Sequence, residues 1–240
     1  LKINMNNKII FTGGSGRFAE SLKKTKSKYS FFYPDSKKLN LLNIKSIEKY
    51  VKKIKPKIFI HAAGLSRPMD IHNKDISKSI SLNIIGTSNV TKICEKYNIK
   101  LVYFSTSYVY PGIKGNYNED DPLLPINNYA WSKLGGECSV QMYKNSLILR
   151  LSMTEKPFIH DKAFVDFYTN FIFHDDVAKI LIKILHKRGV INVGGKPQSV
   201  YDFASKKNKK IKKLYAKKVL PKNSHLNPSM NINKLKSILR

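Results

Sequence analysis

Tyr129 and Lys133 set a phenol and an ammonium four positions apart in the run YAWSK. On a helix, that spacing puts both side chains on one face. A phenol ordinarily titrates near pH 10, too high for ready proton exchange at neutral pH, and a nearby cation favours its ionised form. Such a pair could exchange a proton with a substrate oxygen, and a hydroxyl on the same oxygen would polarise a carbonyl for hydride transfer. With 44 Lys and Arg in 240 residues the spacing itself is cheap. Tyr33 with Lys37 and Tyr110 with Lys114 share it, but they lie beside Pro34 and beside Pro111-Gly112. Only Tyr129 opens a helix-like stretch with a hydroxyl cluster, Ser105-Thr106-Ser107, at a strand end upstream.

The second constellation is Gly13-x-x-Gly16-x-x-Ala19, placed after the first apolar strand and opening a helix. Small residues at these points allow a tight turn, close backbone approach to a pyrophosphate and close packing of helix on sheet. The helix N-terminus offers free N–H groups and partial positive charge to phosphates. At the end of the second strand Asp35 would favour NAD, whereas Ser36, Lys37 and Lys38 could hold the extra phosphate of NADP; a polar surface turn explains them equally.

The elements that must position these groups are short apolar strands alternating with helices. Runs over 8–11, 29–33, 58–60, 101–104 and 147–150 read as strands, and a helix runs from Ile44 to Ile54 before Lys55-Pro56 ends it. A long helical stretch ends near Tyr97, and another spans 128–143. Continuous apolar strands alternating with helices indicate parallel βαβ units, whose ligands bind at the carboxyl ends of the strands. The expected fold is α/β, a Rossmann-type doubly wound parallel sheet with a small C-terminal lobe. Residues 1–152 read as an NAD(P)-binding domain, and 153–240 as a substrate-binding lobe interleaved with the last strands and helices. In that second part a helix is expected over 175–185, a strand over 190–193, a helix from 200 and a loop over 223–233. The lysine-rich run 206–218 is also readable as helix.

Composition narrows the function classes. Hydrophobic content of 42% and charged content of 25% fit a globular chain. No apolar run approaches the ~20 residues of a membrane span, and no signal peptide is expected ahead of the first strand. Cys94 and Cys138 fit no disulfide framework, so the expected setting is cytoplasmic. The net charge of +28 invites a nucleic-acid reading, and twelve basic residues but no acid follow Asp202. The lysines are nevertheless spread over the whole chain, which favours a lysine-decorated solvated surface over a dedicated nucleic-acid site; such a surface also attracts anionic nucleotides. His160, Asp161, His174, Asp175 and Asp176 match no common metal spacing, and no metal is expected; Asp175 and Asp176 read as helix-start residues. The aromatics Phe164, Phe167, Tyr168, Phe171 and Phe173 are expected to pack the small lobe.

TGGSGRFA at 12–19, LNLLN at 39–43, HAAG at 61–64, Asn83 with Gly86-Thr87, STSYVYPG at 105–112, EDDPLLPINNYAWSKLGGE at 119–137 and ILRLS at 148–152 together resemble the extended short-chain dehydrogenase/reductases. Within them the chain resembles the dTDP-4-dehydrorhamnose reductase group. The resemblance implies a catalytic triad of Thr106, Tyr129 and Lys133. It implies that Gly13, Gly16, Arg17 and Phe18 line the pyrophosphate, that Asn40 and Leu41 contact adenine, and that Ala62, Ala63 and Gly64 border the middle of the cofactor, NADP or NAD. The family usually has aspartate where Asn40 stands. Arg67 and Ser107 are candidate substrate contacts, Arg67 through a phosphate; a surface salt bridge explains Arg67 equally. The implied reaction reduces a keto group on a nucleotide-linked deoxysugar. Epimerisation or dehydration with retained NAD, and a non-catalytic dinucleotide-binding module, are the alternatives. A homodimer is implied only by the family's habit. The segment between Ser152 and Asp175 is shorter than usual and lacks the customary aromatic-glycine turn, so the substrate pocket is the least determined part.

Overall fold

The computed structural model describes residues 7–206 and 208–240; Lys207 of the basic run and residues 1–6 lie outside the described residues. The chain begins with β1 (Lys8–Thr12), α1 (Arg17–Lys24), β2 (Ser30–Phe32), α2 (Ile44–Ile54) and β3 (Ile58–His61). Two one-turn helices, α3 (Ile71–Lys74) and α4 (Ile76–Ser79), lead through a π-helical segment, Ile80–Ile85, into α5 (Gly86–Lys96). Next come β4 (Lys100–Thr106), a 3-10 turn at Ser107–Val109, α6 (Asn128–Gln141) and β5 (Ser146–Leu151).

Beyond β5 the strands are short: β6 (Met153–Thr154), β7 (Lys162–Phe164), β8 (Tyr168–Thr169) and β9 (Ile172–Phe173). The chain then returns to the main sheet through α7 (His174–Ile184) and β10 (Gly189–Val193). It finishes with β11 (Gln198–Ser199), α8 (Val200–Ser205), β12 (Lys212–Leu214), α9 (Ala216–Val219) and α10 (Asn233–Leu239).

Six parallel strands form the central sheet in the order β10-β5-β4-β3-β1-β2, which bears out the expected doubly wound α/β fold. From β1 the chain steps outward to β2 and then crosses back to β3 on the other side of β1, so the topological switch point lies between β1 and β3. Ligands of such sheets bind beyond the carboxyl ends of the strands at that point. Strand side chains alternate between the two faces. Ile9, Phe11, Ile60, Val102, Phe104 and Leu149 pack under α1 and α7 on one face. Ile10, Phe59, Leu101, Tyr103 and Ile148 pack under α2 and α5 on the other. With both faces covered, the strands had to read as unbroken apolar runs. Asn43 starts α2 by accepting hydrogen bonds from the N–H groups of Lys45 and Ser46, and Lys55 ends it in the left-handed region at φ 53°.

A separate cluster of Ala163, Phe167, Val200, Ala204, Ile211 and Ala216 holds the last third together, with Phe164 and Phe171 packed against it. Phe173 packs at a tilt against Phe203, and Tyr168 departs from the expected packing role, being 46% exposed. The lysine-rich run is not one helix. Lys212–Leu214 pairs with β7 as a strand, and the Asp166 carboxylate accepts from the N–H groups of Ala216 and Lys217, at 2.6 and 3.2 Å, to start the short α9. No helix among the described residues is long and apolar enough to cross a membrane.

Candidate active site

Gly13 turns the chain at the end of β1 with φ +84°, a conformation that residues with a Cβ adopt only with strain. A Cβ there would stand 3.1 Å from the Ala63 nitrogen, so the turn also lies directly against the loop that leaves β3. Gly16 donates its N–H to the Gly13 carbonyl at 2.9 Å and then begins α1 without any side-chain cap. The first N–H groups of α1 are thereby left for an outside acceptor. These features fit the pyrophosphate of a dinucleotide. Arg17 is half exposed beside the turn, whereas the Phe18 ring is buried against Phe11, Phe104 and His174. Phe18 therefore offers a ligand its backbone and not its ring.

Tyr129 and Lys133 sit on the first turns of α6, whose start is fixed by Asn127 accepting from the Ala130 N–H at 2.8 Å. Thr106 closes β4, and its hydroxyl accepts from the Tyr108 N–H at 3.3 Å. Burial pushes the Tyr129 phenol up to about 12, with Tyr108 adding to the rise while the Thr106 hydroxyl and the Arg67 charge oppose it. The phenol thus keeps its proton at neutral pH. Burial moves Lys133 the other way, down to about 7, although the Glu137 carboxylate one turn later works against the drop. Ser107 is buried in the turn that follows Thr106.

Asn83, in the π-helical segment, ties the site together. Its Nδ2 donates to the Leu65 carbonyl and to the Ser132 hydroxyl, both at 2.8 Å, and its Oδ1 accepts from the Leu65 N–H at 2.7 Å. Ser132 in turn donates to the Tyr129 carbonyl at 2.7 Å. One amide therefore joins the loop after β3 to the helix carrying the pair. Tight packing completes the joint, since a Cβ on Gly136 would lie 2.4 Å from the Asn83 carbonyl oxygen. Below it, His61 is fully buried between Thr12 and Thr87 at 2.9 and 3.1 Å, and burial together with the Lys133 charge holds it down to about 3. Neutral His61 donates from Nε2 to Thr87, whose hydroxyl is committed to the Asn83 carbonyl at 2.7 Å.

A second buried network underlies the Lys133 end of α6. Glu137 accepts from Arg150 Nη2 at 2.7 Å, from Arg150 Nε at 3.1 Å and from the Ser105 hydroxyl at 2.5 Å. Arg150 also donates to the Tyr110 hydroxyl and the Glu119 carbonyl, each at 2.8 Å, and Tyr110 donates to Asn192 at 2.8 Å. Both ions of the pair are almost wholly out of water. The sequence marks Glu137 only as the end of a motif and Arg150 only as the end of a strand; Glu137, four positions after Lys133 on a helix, is the available signal.

The other expected contacts divide by place. Ala62, Ala63 and Gly64 lie at the end of β3 against the Gly13 turn, and a Cβ on Gly64 would meet Asn83 Oδ1 at 2.8 Å. Asn40 spends its side chain on its own turn, accepting from the Leu42 N–H at 2.9 Å, and the Leu41 carbonyl accepts from Asn89 on α5 at 2.9 Å. Asp35 accepts from the Lys38 N–H at 2.9 Å. Arg67 reaches across to Glu155, at 2.7 and 3.4 Å, and Arg17 pairs with the same carboxylate. Glu155 had no role in the sequence reading because its partners stand 88 and 138 positions away. Among the described residues no three His, Cys, Asp or Glu are grouped to hold a metal.

A family model described as the RmlD substrate binding domain matches residues 7–180. The chain is 32% identical over 124 residues to methionine adenosyltransferase 2 subunit beta of Xenopus laevis, covering 51% of this chain and 37% of that protein. It spans, then, well under half the length of that curated relative. Of solved structures, a dTDP-4-dehydrorhamnose reductase from Bacillus anthracis in complex with NADP superposes with a TM-score of 0.84 at 23% identity, over 97% of this chain and 91% of the other. A hypothetical dTDP-4-dehydrorhamnose reductase from Sulfolobus tokodaii gives 0.83 at 25% identity, over 96% and 94%.

Proposed function

We propose that this chain, which belongs to the RmlD substrate binding domain family, is an NADP- or NAD-dependent reductase of a keto group on a nucleotide-linked deoxysugar. One observation carries the reading: Tyr129 and Lys133 share a turn of α6 at the carboxyl edge of the sheet, where a protonated, buried phenol meets the Thr106 hydroxyl. The names of the two similar solved structures support the substrate class.

When bound, the dinucleotide supplies a hydride for the carbonyl carbon. Tyr129 holds the proton that the carbonyl oxygen must receive, and a phenol near 12 keeps it until negative charge develops on that oxygen. Thr106 orients the same oxygen through a hydrogen bond. Lys133, in its cationic form, stabilises the phenolate left behind. Gly13, Gly16 and Arg17 hold the pyrophosphate, and Ala62, Ala63 and Gly64 border the middle of the cofactor. Asp35 is engaged within its own turn and with Lys38, which favours NADP over NAD. The segments between β6 and β9 and those after β10 form the lobe that receives the sugar nucleotide.

Ile76, Ile80, Ile85 and Trp131 are exposed on α4, the π-helical segment and α6, a surface that suits pairing with a second copy. The free thiols of Cys94 and Cys138 suit a cytoplasmic setting. A second reading, a dinucleotide-binding subunit without turnover, is favoured by the curated relative's name as a subunit. A thermal-shift panel separates the possibilities, because a ligand of the folded state raises its stability. NADPH or NAD, and then dTDP-sugars, should raise the melting temperature. The proposal fails if no dinucleotide does so. Retained NAD that is never consumed would point to epimerisation or dehydration instead.

A further inference from the structure

Three strand ends converge on one carboxylate. Arg17 follows the β1 turn, Arg67 follows the β3 loop, and Glu155 comes directly after β6. Glu155 Oε1 accepts from both guanidinium groups, Oε2 takes a second bond from Arg67 at 3.4 Å, and the Thr154 hydroxyl donates to Oε2 at 3.3 Å. The Glu155 side chain is only 12% exposed, whereas those of Arg17 and Arg67 are 58% and 48% exposed. The carboxylate is thus an inner anion between two cations whose outer faces are open. Burial alone would raise Glu155, but the bonds from Arg17 and Arg67 outweigh it and hold the group at about 2, so it stays ionised at any physiological pH.

An arginine has five N–H donors, and bidentate pairing to carboxylate or phosphate uses the same fork. One carboxylate against two guanidinium groups leaves one positive charge, enough to attract a phosphate, yet the best-placed donors are already taken. We infer that Glu155 is an internal competitor for the pyrophosphate of the bound ligand, occupying Arg17 and Arg67 until a phosphate displaces it. The inference rests on the dinucleotide and sugar-nucleotide reading of the site. Pyrophosphate is common to the cofactor and to the substrate, and the site as a whole is a gate on that chemistry. Both arginines are already partnered in the ligand-free chain, so Glu155 withholds their donors from weak anions.

Calorimetric titration of wild type and Glu155→Gln with NADPH, dTDP and inorganic pyrophosphate, each alone, tests the inference. A half-open ion pair of this kind is worth about three- to fivefold in an equilibrium constant, so Glu155→Gln should tighten the contested ligand by about that factor or more. Tightening of NADPH assigns the contested phosphate to the cofactor, tightening of dTDP assigns it to the substrate, and either supports competition. Glu155→Ala should behave alike. Glu20→Gln, which removes an exposed acid from the same α1, should leave affinities unchanged, and the gain should vanish in an Arg17→Gln/Arg67→Gln background. Unchanged or weaker binding of all three probes by Glu155→Gln would overturn the inference. If neither protein binds NADPH, the functional proposal falls, and the pyrophosphate titration still decides the role of Glu155.

Discussion

Lys133 holds its ammonium nitrogen 4.2 Å from the centroid of the Tyr103 ring, with Tyr103 donating its own hydroxyl to the Lys133 carbonyl at 3.0 Å. The amine lies under α6 in a nearly dry place, where the aromatic face and the Glu137 carboxylate partly replace its water. Burial brings it to about 7 from an ordinary value of 10.5.

That shift has a sign. Between about pH 7 and 10.5 the unfolded chain carries the proton at Lys133 and the folded chain does not, so stability rises with pH across this window. Lys133→Met should remove the contribution. At pH 7 the variant should be the more stable by roughly a few kcal/mol, and the gap should close toward pH 10.5. Urea denaturation of both proteins at several pH values measures the gap; a constant difference would refute the assignment.

Glu137 and Arg150 are each at most 3% exposed, and removing one ion would strand the other. Glu137→Leu should cost about 3–5 kcal/mol, whereas Glu137→Leu with Arg150→Met should recover most of that loss. Denaturant midpoints of the single and double variants decide between coupling and simple additivity.

Gly136 is one of the points where α6 touches the π-helical segment. An alanine there would bring its Cβ to 2.4 Å from the Asn83 carbonyl oxygen and 2.8 Å from the Tyr103 hydroxyl. Overpacking of this kind costs about 1–3 kcal/mol and shifts backbone. Because the same helix carries Tyr129, Gly136→Ala should lower kcat more than it raises the KM for NADPH. A variant with wild-type kcat would show that the contact does not position the pair.

How much of this was legible in sequence depended on distance along the chain. The six strands were readable because helices cover both faces of the sheet and leave only apolar residues in Ile9, Phe59 or Leu101. Gly13 and the Tyr129–Lys133 spacing were readable because a turn and a helical face are local. The run 206–218 misled, since its lysines fit a helix by propensity while Asp166 and β7, some 50 residues away, decided otherwise. The Glu155 bridge and the two duties of Asn83 join segments from different strand ends, and no local pattern encodes such meetings.

The central claim is that the Tyr129 phenol delivers the proton to a reduced carbonyl. Its most direct test is the rate of NADPH oxidation with dTDP-4-dehydrorhamnose, followed by absorbance, in wild type and Tyr129→Phe. The substitution keeps the ring, which packs at a tilt against His72 with centroids 5.1 Å apart. The account predicts turnover by wild type and a fall of about 10²–10⁴ in kcat for the variant, with NADPH affinity little changed. Equal turnover by the two proteins, or none by wild type despite tight binding of both ligands, would contradict it.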